Sequence, residues 1–370
     1  MSFGIRSMKK IKEEQKKEVS TLLKKHIVVG QSYEAIYAVL KLSKKYGKEN
    51  VLLLTELPLN VSMIKEQIKC TIPSVRDEKS AEYLRSHYPA LEILPSNSKV
   101  QFYKDGKFYF FGSKAKPMPL LAGEKYFTQE HFQVKLEKLF ENEWENVESL
   151  LENQQMIKFI ETIQLLEEKN EPVRFEIIGS DDENIHCEQL YWVESPQMFV
   201  NKVKNKNQLS DEFMTYVGAQ ETMGALTLHF ECHGQAHDAI GTFLLPQSMT
   251  HEWGHFICQI DHYEPETDTQ SLTVMMMIRE GDDVSEEDLA KKVRLMKRVM
   301  QRSLSSFKDR KYKEYIYFKE QALFLNFEDD LSDTIWKKQP YVHMLGSAGP
   351  VTKDFGFQHF ARSMSTFSRL

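Results

Sequence analysis

The stretch HEWGH, residues 251–255, carries the pattern His-Glu-x-x-His. On a helix, His251 and His255 lie one turn apart on one face, where two imidazole nitrogens can share a zinc ion and Glu252 can activate a metal-bound water. Thr250 is placed to cap such a helix, and Trp253, Phe256, Ile257 and Ile260 recur at helical spacing. Asp261, His262 or Glu264 would supply a third ligand. Two features oppose the helix. Gly254 costs a helix interior about 1 kcal/mol relative to alanine, and FICQI is rich in strand formers. On a strand the two histidines share a face but stand about 13 Å apart, too far to hold one zinc. The extended form is expected, on a sheet surface and with no metal, and a zinc metallopeptidase is the alternative.

HFECHGQAH raises the same question. Strand alternation turns His229 and His233 away from Cys232, and His237 lies beyond Gly234, so the three do not converge on a metal. A partly exposed sheet face is expected there, and the run Met275 to Met277 reads as a core strand. Neither a G-x-S-x-G elbow nor a G-x-x-x-x-G-K phosphate loop is present, and no catalytic acid or base stands out. The four cysteines form no C-x-x-C pair, which predicts reduced thiols and a cytoplasmic setting.

A third pattern concerns nucleotides. A dinucleotide site asks for G-x-G-x-x-G between a first strand and helix, and an acid at the end of the second strand for the ribose hydroxyls. Gly30 fills the first position, Ser32 replaces the second glycine, Ala35 takes the third, and Glu56 stands at the strand end. Ser32 can donate its hydroxyl to a phosphate or obstruct it with its Cβ.

These residues need elements to position them. Ile27 to Val29 and Val51 to Leu54 are continuous apolar runs bracketing an amphipathic stretch with Ala35, Ile36, Val39, Leu40 and Leu42 at helical spacing, closed by Gly47. That is the sequence form of a βαβ unit. KVQFYKDGKFYFFG predicts a hairpin at Asp105-Gly106. A long helical region is expected over 127–169, with Phe132, Leu136, Leu139 and Phe140 on one face. PVRFEIIG and CEQLYWVES read as strands. GALTLHFECHG alternates Leu226, Leu228, Phe230 and Cys232 against Thr227, His229, Glu231 and His233, and SLTVMMMI is a further strand. SEEDLAKKVRLMKRVMQRSLSSF is a helix capped by Ser285 with acids in its first turn. The tail returns to a strand, YVHMLGSAGP, and a helix, GFQHFARSMSTF.

The chain has 370 residues, 41% hydrophobic and 28% charged, with a net charge of -6. Such a balance opposes a general nucleic-acid binder, and no stretch is long and apolar enough to span a bilayer. The opening MSFGIRSMKKIKEEQKKEVSTLLKK predicts a basic helical extension over 1–24, a surface for a protein partner or an acidic face.

The order of elements resembles the FAD-dependent amine oxidase and protoporphyrinogen oxidase family. VRFEIIG…CEQLYWVESP is similar to the segment by which that family's chain returns to its nucleotide domain. YVHMLGSAGP…GFQHFARS is similar to its closing segment, in which Gly346, Gly356 and Ser363 match in position. Ser347 stands where the family has an aspartate, and LPLNVSMIKEQIKC lacks the family's Gly-Gly-Arg. The resemblance implies an α/β fold with a Rossmann-like FAD/NAD(P)-binding domain built from 25–75, 172–196 and 335–370. An inserted α+β substrate domain with an antiparallel sheet would span 76–171 and 197–334. It implies FAD held by Gly30, Ser32, Ala35, Glu56, Gly346, Ser347 and Gly356, and an oxidoreductase acting on a small molecule. A non-catalytic binding or scaffold protein that has lost the cofactor is the alternative.

Overall fold

The two apolar runs near the amino terminus lie side by side as parallel strands. In the computed structural model, β1 (Leu22–Val29) and β2 (Val51–Thr55) pair His26 with Val51 and Val29 with Leu54. The structure describes residues 22–95, 99–121, 123–128, 132–152, 155–156, 160–166, 174–179, 184–218, 221–279, 281–325, 341–349 and 359–370. Between β1 and β2 runs α1 (Tyr33–Tyr46), ended by Gly47 at φ 89°. Successive residues of both strands are buried on opposite faces: Val28 and Leu53 pack with α1, whereas Ile27, Val29, Leu52 and Leu54 join a second apolar cluster. A sheet covered on both faces needs such continuous apolar runs.

The sheet is completed by distant parts of the chain. Its order is β8 (Gln155–Met156), β2, β1, β11 (Asn184–Trp192), β10 (Phe175–Gly179) and β9 (Ile160–Leu165), with β17 (Val342–Met344) paired to β11. β11 runs parallel to β1 and to β17, Leu190 against Val342 and Trp192 against Met344, and antiparallel to β10. The last helix, α8 (His359–Phe367), buries Ala361, Met364 and Phe367 in the same core as α1.

A second sheet has the order β16 (Tyr312–Leu325), β12 (Glu221–His233), β15 (Thr269–Arg279), β14 (His255–Glu264), β13 (Gly241–Pro246), β5 (Gln101–Lys104) and β6 (Lys107–Phe110). β12 and β15 are antiparallel, with Leu226 opposite Met276 and His229 opposite Thr273. As alternation predicts, Leu226, Leu228, Phe230 and Cys232 share one face and pack against Met296, Val299 and Met300 of α7 (Glu286–Ser303). Ser285 caps α7 by accepting from the Asp288 N–H. The hairpin forms at Asp105-Gly106, both at positive φ (50° and 81°), as a two-residue primed turn requires.

A small third sheet, β3 (Ser74–Val75), β7 (Phe132–Lys135) and β4 (Glu92–Pro95), corrects one expectation. The predicted helix over 127–169 is instead β7, a 3-10 segment at Leu136–Phe140, α4 (Trp144–Glu152), β8 and β9. Phe132, Leu136, Leu139 and Phe140 are all buried, so the apolar spacing was real. Pairing of Val134 with Ile93 decides the backbone, because a ladder to another segment overrides a weak local preference. β1 also begins at Leu22, inside the segment expected to be helical; residues 1–21 lie outside the described residues.

Candidate functional site

The glycine turn between β1 and α1 leads to the point where both sheets meet. Gly30 is closely packed, a Cβ there lying 3.0 Å from the Cβ atoms of Ala35 and Val193. Ser32 occupies the N-cap position but makes no capping hydrogen bond, and its buried hydroxyl has no partner. Two N–H groups of this turn, of the kind that take a phosphate in a dinucleotide site, are engaged by side chains. Gln31 donates to Glu194 Oε1 (2.8 Å) and Tyr33 donates to Gln67 Oε1 (3.0 Å).

Glu34, in the first turn of α1, is 4% exposed and turned inward. Its carboxylate accepts from Ser347 N (3.1 Å), Ser347 Oγ (3.5 Å) and Ser363 Oγ (2.5 Å), and lies 3.8 Å from Lys319 Nζ. Gly346, at φ +68°, makes room: a Cβ there would come within 2.8 Å of the Glu34 carboxylate. Burial alone would push the Lys319 ammonium down, but attraction to Glu34 and Glu194 outweighs it and holds the pKa above the usual lysine value.

Glu56 does stand at the end of β2, where it accepts from Lys202 Nζ (2.9 Å) and Ile160 N (2.9 Å). Trp192 and Met198 close the space beside it, leaving a cavity of about 10 Å³. Ser32, Gly346 and Ser347 are thus brought around Glu34, with Ala35 next to it in α1, whereas Gly30 lines the small space beside Glu56. Gly356 lies outside the described residues.

Beyond Glu34 a cavity of about 130 Å³ opens between the parallel and antiparallel sheets, lined by Ser32, Cys70, Arg76, Thr227, Tyr317 and Lys319 among others. Burial pushes the Cys70 thiol up to about 12 and the Arg76 guanidinium down to about 10. A thiol so disfavoured as thiolate is not a nucleophile at neutral pH. The other three cysteines are likewise free and buried.

A larger cavity of about 320 Å³ lies further along the same face of β12, β14 and β15, under β7 and the end of α2 (Val61–Lys69). His229 faces it rather than solvent; it is 5% exposed and held by Thr273 Oγ1 at 2.8 Å. Burial pushes its pKa down to about 4, so it is neutral at pH 7.

The HEWGH stretch is not helical. His251 lies in the loop before β14, stacked on an exposed Trp253, and His255 opens the strand. Contrary to the surface position expected, His255 is 1% exposed: its N–H donates to the buried Glu124 carboxylate, which also lies 3.4 Å from its Nδ1. Among the described residues no group of three or more His, Cys, Asp or Glu side chains is placed to hold a metal. The zinc metallopeptidase alternative is therefore not supported.

Glu34 and Lys319 escaped the sequence reading. An acid in a helix's first turn normally complements the dipole from the surface, so nothing in the letters marks Glu34 as turned inward.

No family model matches the sequence, and no curated protein matches it. Solved structures match almost throughout. A putrescine oxidase bound to putrescine superposes with a TM-score of 0.55 at 10% identity, covering 94% of this chain and 98% of that one. An oxidoreductase from Methanosarcina mazei gives 0.53 at 10% identity over 94% and 100%. An Exiguobacterium protein assigned as a protoporphyrinogen oxidase gives 0.52 at 11% over 94% and 98%. The fold is therefore the mixed α/β fold of the amine oxidase and protoporphyrinogen oxidase structures. Identities this low carry the fold alone.

Proposed function

We propose that this chain is a small-molecule-binding protein on a flavoenzyme fold, working without a bound dinucleotide. The observation that carries the reading is Glu34. A buried carboxylate takes the Ser347 N–H and the Ser363 hydroxyl, beside the helix N-terminus where a pyrophosphate would sit. A phosphate brought there meets a like charge in a poorly solvated place; the bare pair repulsion at about 4 Å is roughly 4 kcal/mol at an effective dielectric of 20, reduced by Lys319, whose Nζ lies 3.8 Å from the carboxylate. Two further features support it. The turn's N–H groups at Gln31 and Tyr33 already have acceptors. The space beside Glu56, about 10 Å³, has room for roughly one water, far below what an adenosine needs.

The second reading, an FAD-dependent oxidoreductase, is favoured by the retained tight turn at Gly30 and the parallel βαβ unit. In it Gly30, Ser32, Ala35, Glu56, Gly346 and Ser347 would hold the cofactor. The visible spectrum separates the two. Full-length protein purified under mild conditions is expected to be colourless and to leave the fluorescence of added FAD unchanged at tens of micromolar. Yellow protein carrying about one flavin per chain would overturn the proposal.

A further inference from the structure

Two donors stand two residues apart on one face of β16, the phenol of Tyr317 and the ammonium of Lys319, and both line the cavity beyond Glu34. Their partners across the ladder to β12 are Thr227 and Ala225, short side chains that leave the space above them open. The Tyr317 hydroxyl lies among the lining groups, since Lys319, Glu34 and Cys70 all act on its titration. Lys319 Nζ is 3.8 Å from the Glu34 carboxylate, close enough for an ion pair but too far for a hydrogen bond. Neither polar atom is sealed from water, yet among the described residues neither has a hydrogen-bond acceptor. Burial keeps Tyr317 a phenol, and attraction to Glu34 and Glu194 keeps Lys319 an ammonium, so both hold protons to donate at pH 7.

The rest of the wall narrows the ligand. A carbonyl oxygen offers two lone pairs and needs no acceptor in return. A ligand that must itself donate would turn to Glu34, which already accepts from Ser347 and Ser363. Among the described residues the formal charges balance: Lys319 and Arg76 stand against Glu34 and a Glu194 near enough to act on Lys319. No net charge therefore compensates an ion for the hydration it would lose on entry. Phe127, Met275 and Phe360, each 7% exposed, supply an apolar side. The volume of about 130 Å³ is close to the about 150 Å³ of a cavity that holds benzene, which leaves room for one ring.

We infer that this cavity binds an uncharged ketone of one-ring size, its oxygen taken by Tyr317 and Lys319 and its ring set against Phe127, Met275 and Phe360. The inference rests on the function proposed above, because it needs the space beside Glu34 to be free of flavin.

The visible spectrum of the purified full chain separates the two claims: yellow protein would overturn both, whereas colourless protein that takes up neither ketone below would overturn this inference alone. Saturation-transfer NMR titrations at millimolar concentration use acetophenone and cyclohexanone, with toluene, benzoate and benzylamine for comparison. Transfer is expected to at least one ketone, with toluene bound about tenfold more weakly for want of an acceptor and no transfer to either ion. Tyr317→Phe deletes a hydroxyl that bonds to no described residue, so the fold is kept, and it is expected to weaken ketone binding about fivefold, the effect of one hydrogen bond. Ala225→Leu fills the floor of the cavity and is expected to abolish transfer. Toluene bound as tightly as the ketones, transfer to benzoate or benzylamine, or ketone binding unchanged by either variant would each overturn the inference.

Discussion

Gly254 shows how one residue type settles the meaning of a motif. Its φ of +96° is the left-handed region, and a Cβ there would lie 2.6 Å from Glu124 Oε1 and 3.0 Å from Leu121 Cδ1. The glycine admits the Glu124 carboxylate to the backbone, where it accepts from the His255 and Leu121 N–H groups. The histidine of HEWGH thus belongs to a structural clasp between β14 and the 3-10 turn at Glu124–Phe127. Gly254→Ala combines a left-handed alanine, about 1–2 kcal/mol, with disturbed buried hydrogen bonds, about 1–3 kcal/mol. A loss of about 2–5 kcal/mol is expected, read as a lower urea midpoint at unchanged slope. An unaltered midpoint would mean that Glu124 has room to move and the clasp is slack. From the letters, His-Glu-x-x-His was visible but Glu124, more than a hundred residues away, was not.

At the scale of elements, two serines before two helices make a sharper comparison. Ser285 was legible as a cap because three acids follow it, and its Oγ does accept from the Asp288 N–H. Ser32 has the same backbone position before α1, yet its hydroxyl is buried without a partner while Gln67 takes the Tyr33 N–H. Ser285→Ala should therefore cost about 1 kcal/mol, whereas Ser32→Ala should cost nothing measurable, since no bond is lost. Equal losses in a denaturant titration of the two variants would refute the distinction. The strands were legible for a similar reason: continuous apolar runs give β1 and β2, and alternation gives β12 with its core face correct. Alternation could not tell whether the other face met solvent or another sheet, so His229 was expected on a partly exposed face. The 127–169 segment was misread because its ladder partners, β3 and β4, lie some forty to sixty residues earlier in the chain.

At the scale of the molecule, the fold depends on distant segments closing one sheet. β17 adds to β11 beyond β1, and α8 seals the face that α1 covers, with Lys41 Nζ donating to the Phe367 carbonyl (2.9 Å) and Tyr83 to Ser368 Oγ (2.7 Å). Segment 341–370 buries Val342, Met344, Leu345, Phe360, Met364 and Phe367 in the two cores of the parallel sheet. Six such side chains at roughly 1.5–3 kcal/mol each contribute on the order of 10 kcal/mol, comparable with the about 5–15 kcal/mol that holds a typical protein folded. Deletion of residues 341–370 should therefore abolish cooperative unfolding of the whole chain, antiparallel sheet included, because Lys319 and Tyr317 of that sheet line the same cavity as Ser347 and Ser363. Circular dichroism through a thermal ramp checks this. A truncated chain that keeps one sharp transition near the full-length midpoint would show that the antiparallel sheet and its cavity stand alone, and that the closing segment only decorates a body already stable without it.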